Sequence, residues 1–264
     1  MELKLEKEKL INLLEVASIA GYSKETNLEF AFEGLRITSG LEDQLLVKAW
    51  YSSGFFTEYK WDGNIEIGLD CKHLNRLSKF IDETSLRVEI KEGEFLILGD
   101  YTKVYLCPFK VETEDSLKLG NIPLDEVLDN YEDVISLTDA YVYAQAHVIP
   151  PGKLRPLGGI DELIFRVDNN VLSLVQQSEG EKVRFEKIIS DNVLNPSPTS
   201  VPISTKNLIA VMNIFNLWYK DITIGLPQKE NYPVIFHDSC EDYEITVLVA
   251  PIMDSMNSIP TPPG

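Results

Sequence analysis

The chain is short of positive charge. Its 264 residues carry 24 Lys and Arg against 42 Asp and Glu, a formal charge of −18. That balance favours solubility and repels bulk nucleic acid and anionic membrane, so any contact with DNA has to use a local basic patch. Cysteine is scarce as well. Cys71, Cys107 and Cys240 are odd in number, far apart and in no metal-ligand spacing. They exclude a disulfide framework and fit a reduced, intracellular setting. His73, His147 and His237 form no HxxxH or HExxH pattern, there is no GxSxG, and Gly158-Gly159 makes no phosphate loop. Acidic pairs such as Glu42-Asp43 and Glu241-Asp242 are abundant at this composition, and none stands out as an acid/base dyad. No catalytic residue, metal or cofactor is therefore expected, and an enzyme is the least supported class. No apolar run approaches the ~18 residues of a membrane helix. The first residues, MELKLEKEKL, are charged from the start and do not read as a signal peptide.

What is present is enough to fold. Hydrophobic residues make up 44% and aromatics 9%, which excludes a disordered acidic tail and suits one large or two ordinary domains. Within the acidic background, CKHLNRLSKF (71–80) is anomalous. On a helix, Lys72, Arg76 and Lys79 fall within about 60° of one another, and Leu74, Leu77, Phe80 and Ile81 fall on a separate apolar arc. From charge pattern alone, such a stripe reads first as the solvated face of an amphipathic helix.

The chain also repeats itself. Residues 71–90 lie over 205–224 without a gap, so that Lys72 meets Lys206, Leu74 meets Leu208, Leu77 meets Val211 and Ile90 meets Ile224. Each segment reads as a helix followed by a strand, entered from a short apolar strand whose last residue, Asp70 or Ser204, is a good N-cap. Upstream, 8–20 reads as a helix leading to a strand pair over 28–39 around Glu33-Gly34. In the second half, 137–149 reads as a helix leading to a strand pair over 162–177 with its turn at Asn169-Asn170. Two tandem α+β units follow: residues 1–112 and 135–254, joined by an acidic, apolar-studded connecting loop over 113–134 and ending in a Pro-rich tail, 255–264.

In this order along the chain, four stretches resemble the sliding DNA clamps of the proliferating cell nuclear antigen (PCNA) family. GNIEIGLDCKHLNRLSKF (63–80) resembles the strand and second helix of the first clamp domain. KLGNIP (118–123) resembles the interdomain connecting loop, with Asn121 inserted. YPVIF (232–236) resembles the family's Pro-Leu-Val-Val strand, and LVAPIMD (248–254) resembles the closing Leu-Ala-Pro before its acidic tail. The departures lie in charge. Ala210 and Asn213 stand opposite Arg76 and Lys79, the 138–148 segment has no Lys or Arg, and Ile11 and Asn12 stand where the family is basic. PPGKLRPLGG (150–159) reads as an insertion without a counterpart, and Gly40 and Leu41 stand where a larger apolar residue is usual.

The resemblance implies a divergent clamp, a non-enzymatic processivity factor. Its helices line the hole of a ring of three chains, and its antiparallel sheets face outward. Lys72, Arg76, Lys79, Lys206, Lys9, Lys153 and Arg155 would meet duplex DNA phosphates without reading sequence. Tyr101, Val104, Tyr105 and Leu106 would form one subunit edge, and Val183, Arg184 and Phe185 the other. Leu41, Leu119, Ile122, Pro123, Pro233, Val249, Ala250, Pro251 and Ile252 would receive short peptides of a DNA polymerase, a clamp loader and other proteins. No membrane partner is implied, and the place of work is inside the cell with the DNA. Two other readings stay open: a checkpoint-type subunit of a heterotrimeric ring, and an acidic interaction scaffold.

Overall fold

A computed structural model describes residues 1–41, 44–91, 93–109, 141–154, 161–177, 184–194, 196–216, 221–229 and 232–252. The chain divides into two compact units, Met1–Lys118 with His237–Val247, and Leu119–Phe236 with Leu248–Gly264.

Unit 1 opens on β1 (Glu2–Glu6), where Leu3 and Leu5 are buried and their neighbours are not, the alternation of a strand with one face inward. Helix α1 (Lys7–Ala17) buries Leu10, Leu13, Leu14 and Ala17, the set its helical spacing predicts. The strand pair read around Glu33-Gly34 is β2 (Glu25–Ala31) and β3 (Gly34–Leu41). A Cβ on Gly34 would stand 2.0 Å from the Tyr51 carbonyl oxygen, so a side chain there would collide with backbone. Next come β4 (Leu45–Ser52), a 3-10 turn at Ser53–Phe55, β5 (Glu58–Lys60) and β6 (Ile65–Asp70). Helix α2 (Cys71–Ser78) leads to β7 (Ser85–Lys91), β8 (Glu94–Leu98) and β9 (Lys103–Leu106). One sheet runs β5-β1-β7-β8-β9, and β4-β3-β2-β6 lie side by side in another. Past β9, Phe109 exchanges two 3.0 Å backbone hydrogen bonds with Gly68 of β6. A Cβ on Gly68 would come within 2.2 Å of the Phe109 ring, so glycine is what admits this contact.

Unit 2 repeats the scheme. It contains β10 (Tyr141–His147), a 3-10 turn at Pro151–Lys153, β11 (Glu162–Asp168), β12 (Val171–Gln177), β13 (Arg184–Ser190), β14 (Val193–Leu194) and β15 (Thr199–Ser204). Helix α3 (Thr205–Asn216) and β16 (Asp221–Pro227) follow, then β17 (Val234–Ser239) and β18 (Tyr243–Val249), whose middle portion groups with unit 1. The pairings match one for one. β1 pairs with β7 and β5 as β10 pairs with β16 and β14. β2 pairs with β3 and β6 as β11 pairs with β12 and β15. Asn169 and Asn170 take φ of 49° and 65° between β11 and β12, the left-handed pair of a two-residue hairpin turn that Asn tolerates.

Four sequence expectations change. The helix expected over 137–149 is a strand where it is described: residues Tyr141–His147 pair along their whole length with Asp221–Pro227. Val142, Ala144 and Ala146 alternate with the period of a strand, and a short apolar run cannot be assigned by periodicity alone. Residues 150–159, read as an insertion, stand in chain order between β10 and β11 where α1 stands between β1 and β2. Pro150, Pro151 and Gly152 give only a 3-10 turn there before the described stretch ends. Phe80 leaves the apolar arc: α2 ends at Ser78, and Phe80 is 80% exposed while Leu74 and Ile81 are buried. Finally, the start of α3 is held by Asp161, which accepts the Lys206 amide at 3.2 Å and the Ser204 hydroxyl at 2.9 Å. Ser204 was expected to be the acceptor. The connecting loop (113–134) and the tail (255–264) lie outside the described residues.

Candidate nucleic-acid interface

Asp70 starts α2 as expected, its Oδ1 accepting the His73 amide at 2.8 Å. One side of the helix is inward: Cys71, Leu74, Asn75 and Ser78 are buried. Asn75 Nδ2 donates to Ser18 Oγ at 3.2 Å at the end of α1, and α1 packs on α2. What remains outside is the cationic side. Arg76 and Lys79 are exposed and Lys72 is half-buried. Among the described residues neither Lys72 nor Arg76 is in an ion pair, whereas Lys79 Nζ stands 3.6 Å from Glu15 on α1. Lys9 is engaged elsewhere. Its Nζ donates to the Phe55 carbonyl at 2.7 Å and lies 4.8 Å over that ring, so it stitches α1 to the turn after β4.

The corresponding surface of unit 2 is nearly uncharged. On α3, Lys206 is exposed, Asn213 is half-buried and Ala210 is buried. Lys153 is exposed on the 3-10 turn, which packs against α3; Arg155 lies outside the described residues.

Among the described residues, the two stretches expected at subunit edges lie at sheet edges. β9 is last in its sheet next to β8, and β13 is last in the order β13-β12-β11-β15. Both carry apolar side chains to solvent. Tyr105 is 66% exposed on β9, and Ile188 and Phe185 are 65% and 46% exposed on β13. Val104 and Leu106 are half-buried, Arg184 is exposed, and Val183 lies outside the described residues. Tyr101 precedes β9 in a bend. Its amide donates to Glu83 Oε1 at 2.9 Å, and that bond is the main cause holding the Glu83 carboxyl below its usual range. A groove of about 760 Å³ opens here between Lys4, Arg87, Glu83 and Tyr101.

Of the residues expected to receive peptides, Pro233, Val249 and Pro251 are buried in unit 2 and Ala250 and Ile252 are half-buried. Val249 is fully enclosed in β18, which makes it core. The Ile252 amide donates to the Pro202 carbonyl at 2.9 Å. Leu41, half-buried at the end of β3, belongs to unit 1. Leu119, Ile122 and Pro123 lie outside the described residues.

Two further features had no recognised signal in the sequence. One is the exposed Phe80 beside the cations: at ~100° per residue it lies about 40° from Arg76 and about 120° from Leu74, nearer the basic stripe than the apolar arc. The other is Asp161, whose role depends on the β11–β15 pairing that sets Glu162 opposite Ser204. Among the described residues no group of three or more His, Cys, Asp or Glu could hold a metal ion, and no helix is long and apolar enough to cross a membrane.

No protein-family model and no curated protein sequence matches the chain. Solved structures do. A structure of A. fulgidus PCNA bound to the C-terminal region of FEN-1 superposes with a TM-score of 0.73 at 14% identity, covering 96% of this chain and 99% of that one. The PCNA2-PCNA3 complex from Sulfolobus tokodaii gives 0.74 at 13% identity, with 96% and 100% covered. PCNA from Entamoeba histolytica gives 0.72 at 14%, with 95% and 98% covered. The chain therefore has the α+β fold of a PCNA sliding clamp.

Proposed function

We propose that the chain is a sliding clamp: a non-enzymatic processivity factor that encircles duplex DNA and tethers a DNA polymerase and other replication and repair proteins. The observation that carries this reading is the exposed cationic side of α2, with Arg76 and Lys72 outside any ion pair among the described residues, in a clamp fold of net charge −18. Cations in that place meet phosphates and read no bases. A closed ring needs only weak contacts, because topology prevents escape and weak contacts keep sliding fast. The acidic remainder of the surface repels DNA and leaves the basic face as its path.

Three chains close the ring when β9 of one copy pairs with β13 of the next, a head-to-tail contact between two different edges. Partner peptides dock on unit 2 at half-buried Ala250 and Ile252, beside Pro233 and Pro251. Such a protein works inside the cell, with the DNA. A second reading, one subunit of a heterotrimeric ring of the checkpoint type, is favoured by the near absence of charge on α3.

The test is topological. The chain is incubated with nicked circular DNA and passed through a sizing column, before and after the circle is cut. A clamp co-elutes with the circle and is lost on linearisation. Equal retention on both forms, or on neither, overturns the reading.

A further inference from the structure

We infer that the end of α2 binds an unpaired base of single-stranded DNA, with Phe80 as the stacking surface and Arg76 as the phosphate contact. The inference rests on α2 being the DNA face.

Phe80 is 80% exposed, and only Tyr101 is more exposed among the large hydrophobic side chains described. Its position is fixed from both sides. The amides of Phe80 and Ile81 donate to Leu77 and Ser78 at 3.0 and 3.2 Å, continuing the spiral one turn past the helix. Ile81 is buried and its carbonyl accepts the Lys7 ammonium of α1. The backbone is thus pinned where the phenyl ring faces water.

Because the spiral continues, His73, Arg76 and Phe80 fall at i, i+3 and i+7 on one face, and all are exposed, with Lys79 adjoining. Asp82, also exposed, marks where the cationic stripe ends. A lone exposed phenyl needs no explanation. A phenyl in line with a guanidinium and an imidazole is the pattern by which proteins hold single strands: cations track the backbone and an aromatic ring takes a base face.

The alternative nucleic-acid occupant is intact duplex, with Phe80 wedged between base pairs. Unstacking a step is costly and is offset only where a bent duplex wraps more protein; an eight-residue helix offers no such surface. An unpaired base needs no unstacking. The ring therefore selects the single-stranded side of a primer–template junction.

Fluorescence anisotropy of the full chain at low salt tests this with a labelled oligothymidylate, a blunt duplex and a primer–template junction. The expected result is tighter binding of the junction than of the duplex. Phe80→Ala should reduce that preference about fivefold to a hundredfold, the range for losing one base–aromatic stack. Phe80→Tyr, which keeps the ring, should restore it. Phe80→Ala should also leave the slope of log affinity against log salt unchanged, because no phosphate contact is removed. Equal junction preference in wild type and Phe80→Ala overturns the inference while leaving α2 as a DNA face. Failure of the wild type to bind any of the three DNAs overturns the DNA-face reading itself.

Discussion

Helices α2 and α3 hold the same place in their units. Each leaves a strand, β6 or β15, that pairs with the hairpin strand β2 or β11. Each leads into a strand, β7 or β16, that pairs with the unit's first strand. Their inner faces agree: Leu74 and Leu208 are both fully buried. Their outer faces do not. α2 exposes Arg76 with His73, and Lys79 and Phe80 follow at its end. α3 is longer, buries Ala210, Val211, Met212, Ile214 and Phe215, and exposes one cation, Lys206. Burial constrains the repeated positions because each inward side chain must fill a fixed space. Exposed positions are free to diverge, so the repeat preserves the scaffold while the exposed cations of these two helices concentrate on α2.

The largest effect that would sharpen this contrast is on stability. Phe80 and Ile214 occupy equivalent repeat positions, yet Ile214 is fully buried. Ile214→Ala should cost about 2–5 kcal/mol in a denaturant melt, and Phe80→Ala should stay within about 0.5 kcal/mol. Similar losses at both positions would break the contrast.

Charge reversal comes next. Arg76→Glu should weaken duplex binding and lower the steepness of its salt dependence by about one unit, as expected for a lost phosphate contact. Lys79→Glu should do less, since Lys79 already faces Glu15 at 3.6 Å. A larger effect from Lys79 would mean that this ion pair opens on DNA.

Asp161→Ala should destabilise unit 2 by about 0.5–2 kcal/mol through loss of the acceptor at the start of α3, a loss comparable to that from Asp70→Ala in unit 1. A neutral outcome at Asp161 would return the capping role to Ser204. The smallest effect is a gain. Asn213→Lys adds a cation to α3 and should strengthen duplex binding modestly while leaving the melt unchanged, read by anisotropy at two salt concentrations.

Much of this was legible in the sequence. The offset between 71–90 and 205–224 located both repeated helices and the strands after them, because apolar spacing survives divergence. Asn169-Asn170 and Glu33-Gly34 marked their hairpins by turn chemistry. The strand Tyr141–His147 was not legible, since its character comes from Asp221–Pro227 far along the chain. Phe80 groups with Leu74 and Ile81 by residue type, although at ~100° per residue its phase is nearer to Arg76. Lys9 looked available for DNA, and only the tertiary structure shows its ammonium held by the Phe55 carbonyl.

In the proposed ring, copies of this chain join through the edge strands β9 and β13. Light scattering on the purified chain across a concentration series tests it most directly. A species of three times 29.9 kDa is expected, falling to a single chain when exposed Tyr105 and Ile188 are both changed to Glu. A single-chain mass at every concentration, or a trimer indifferent to both substitutions, would contradict it.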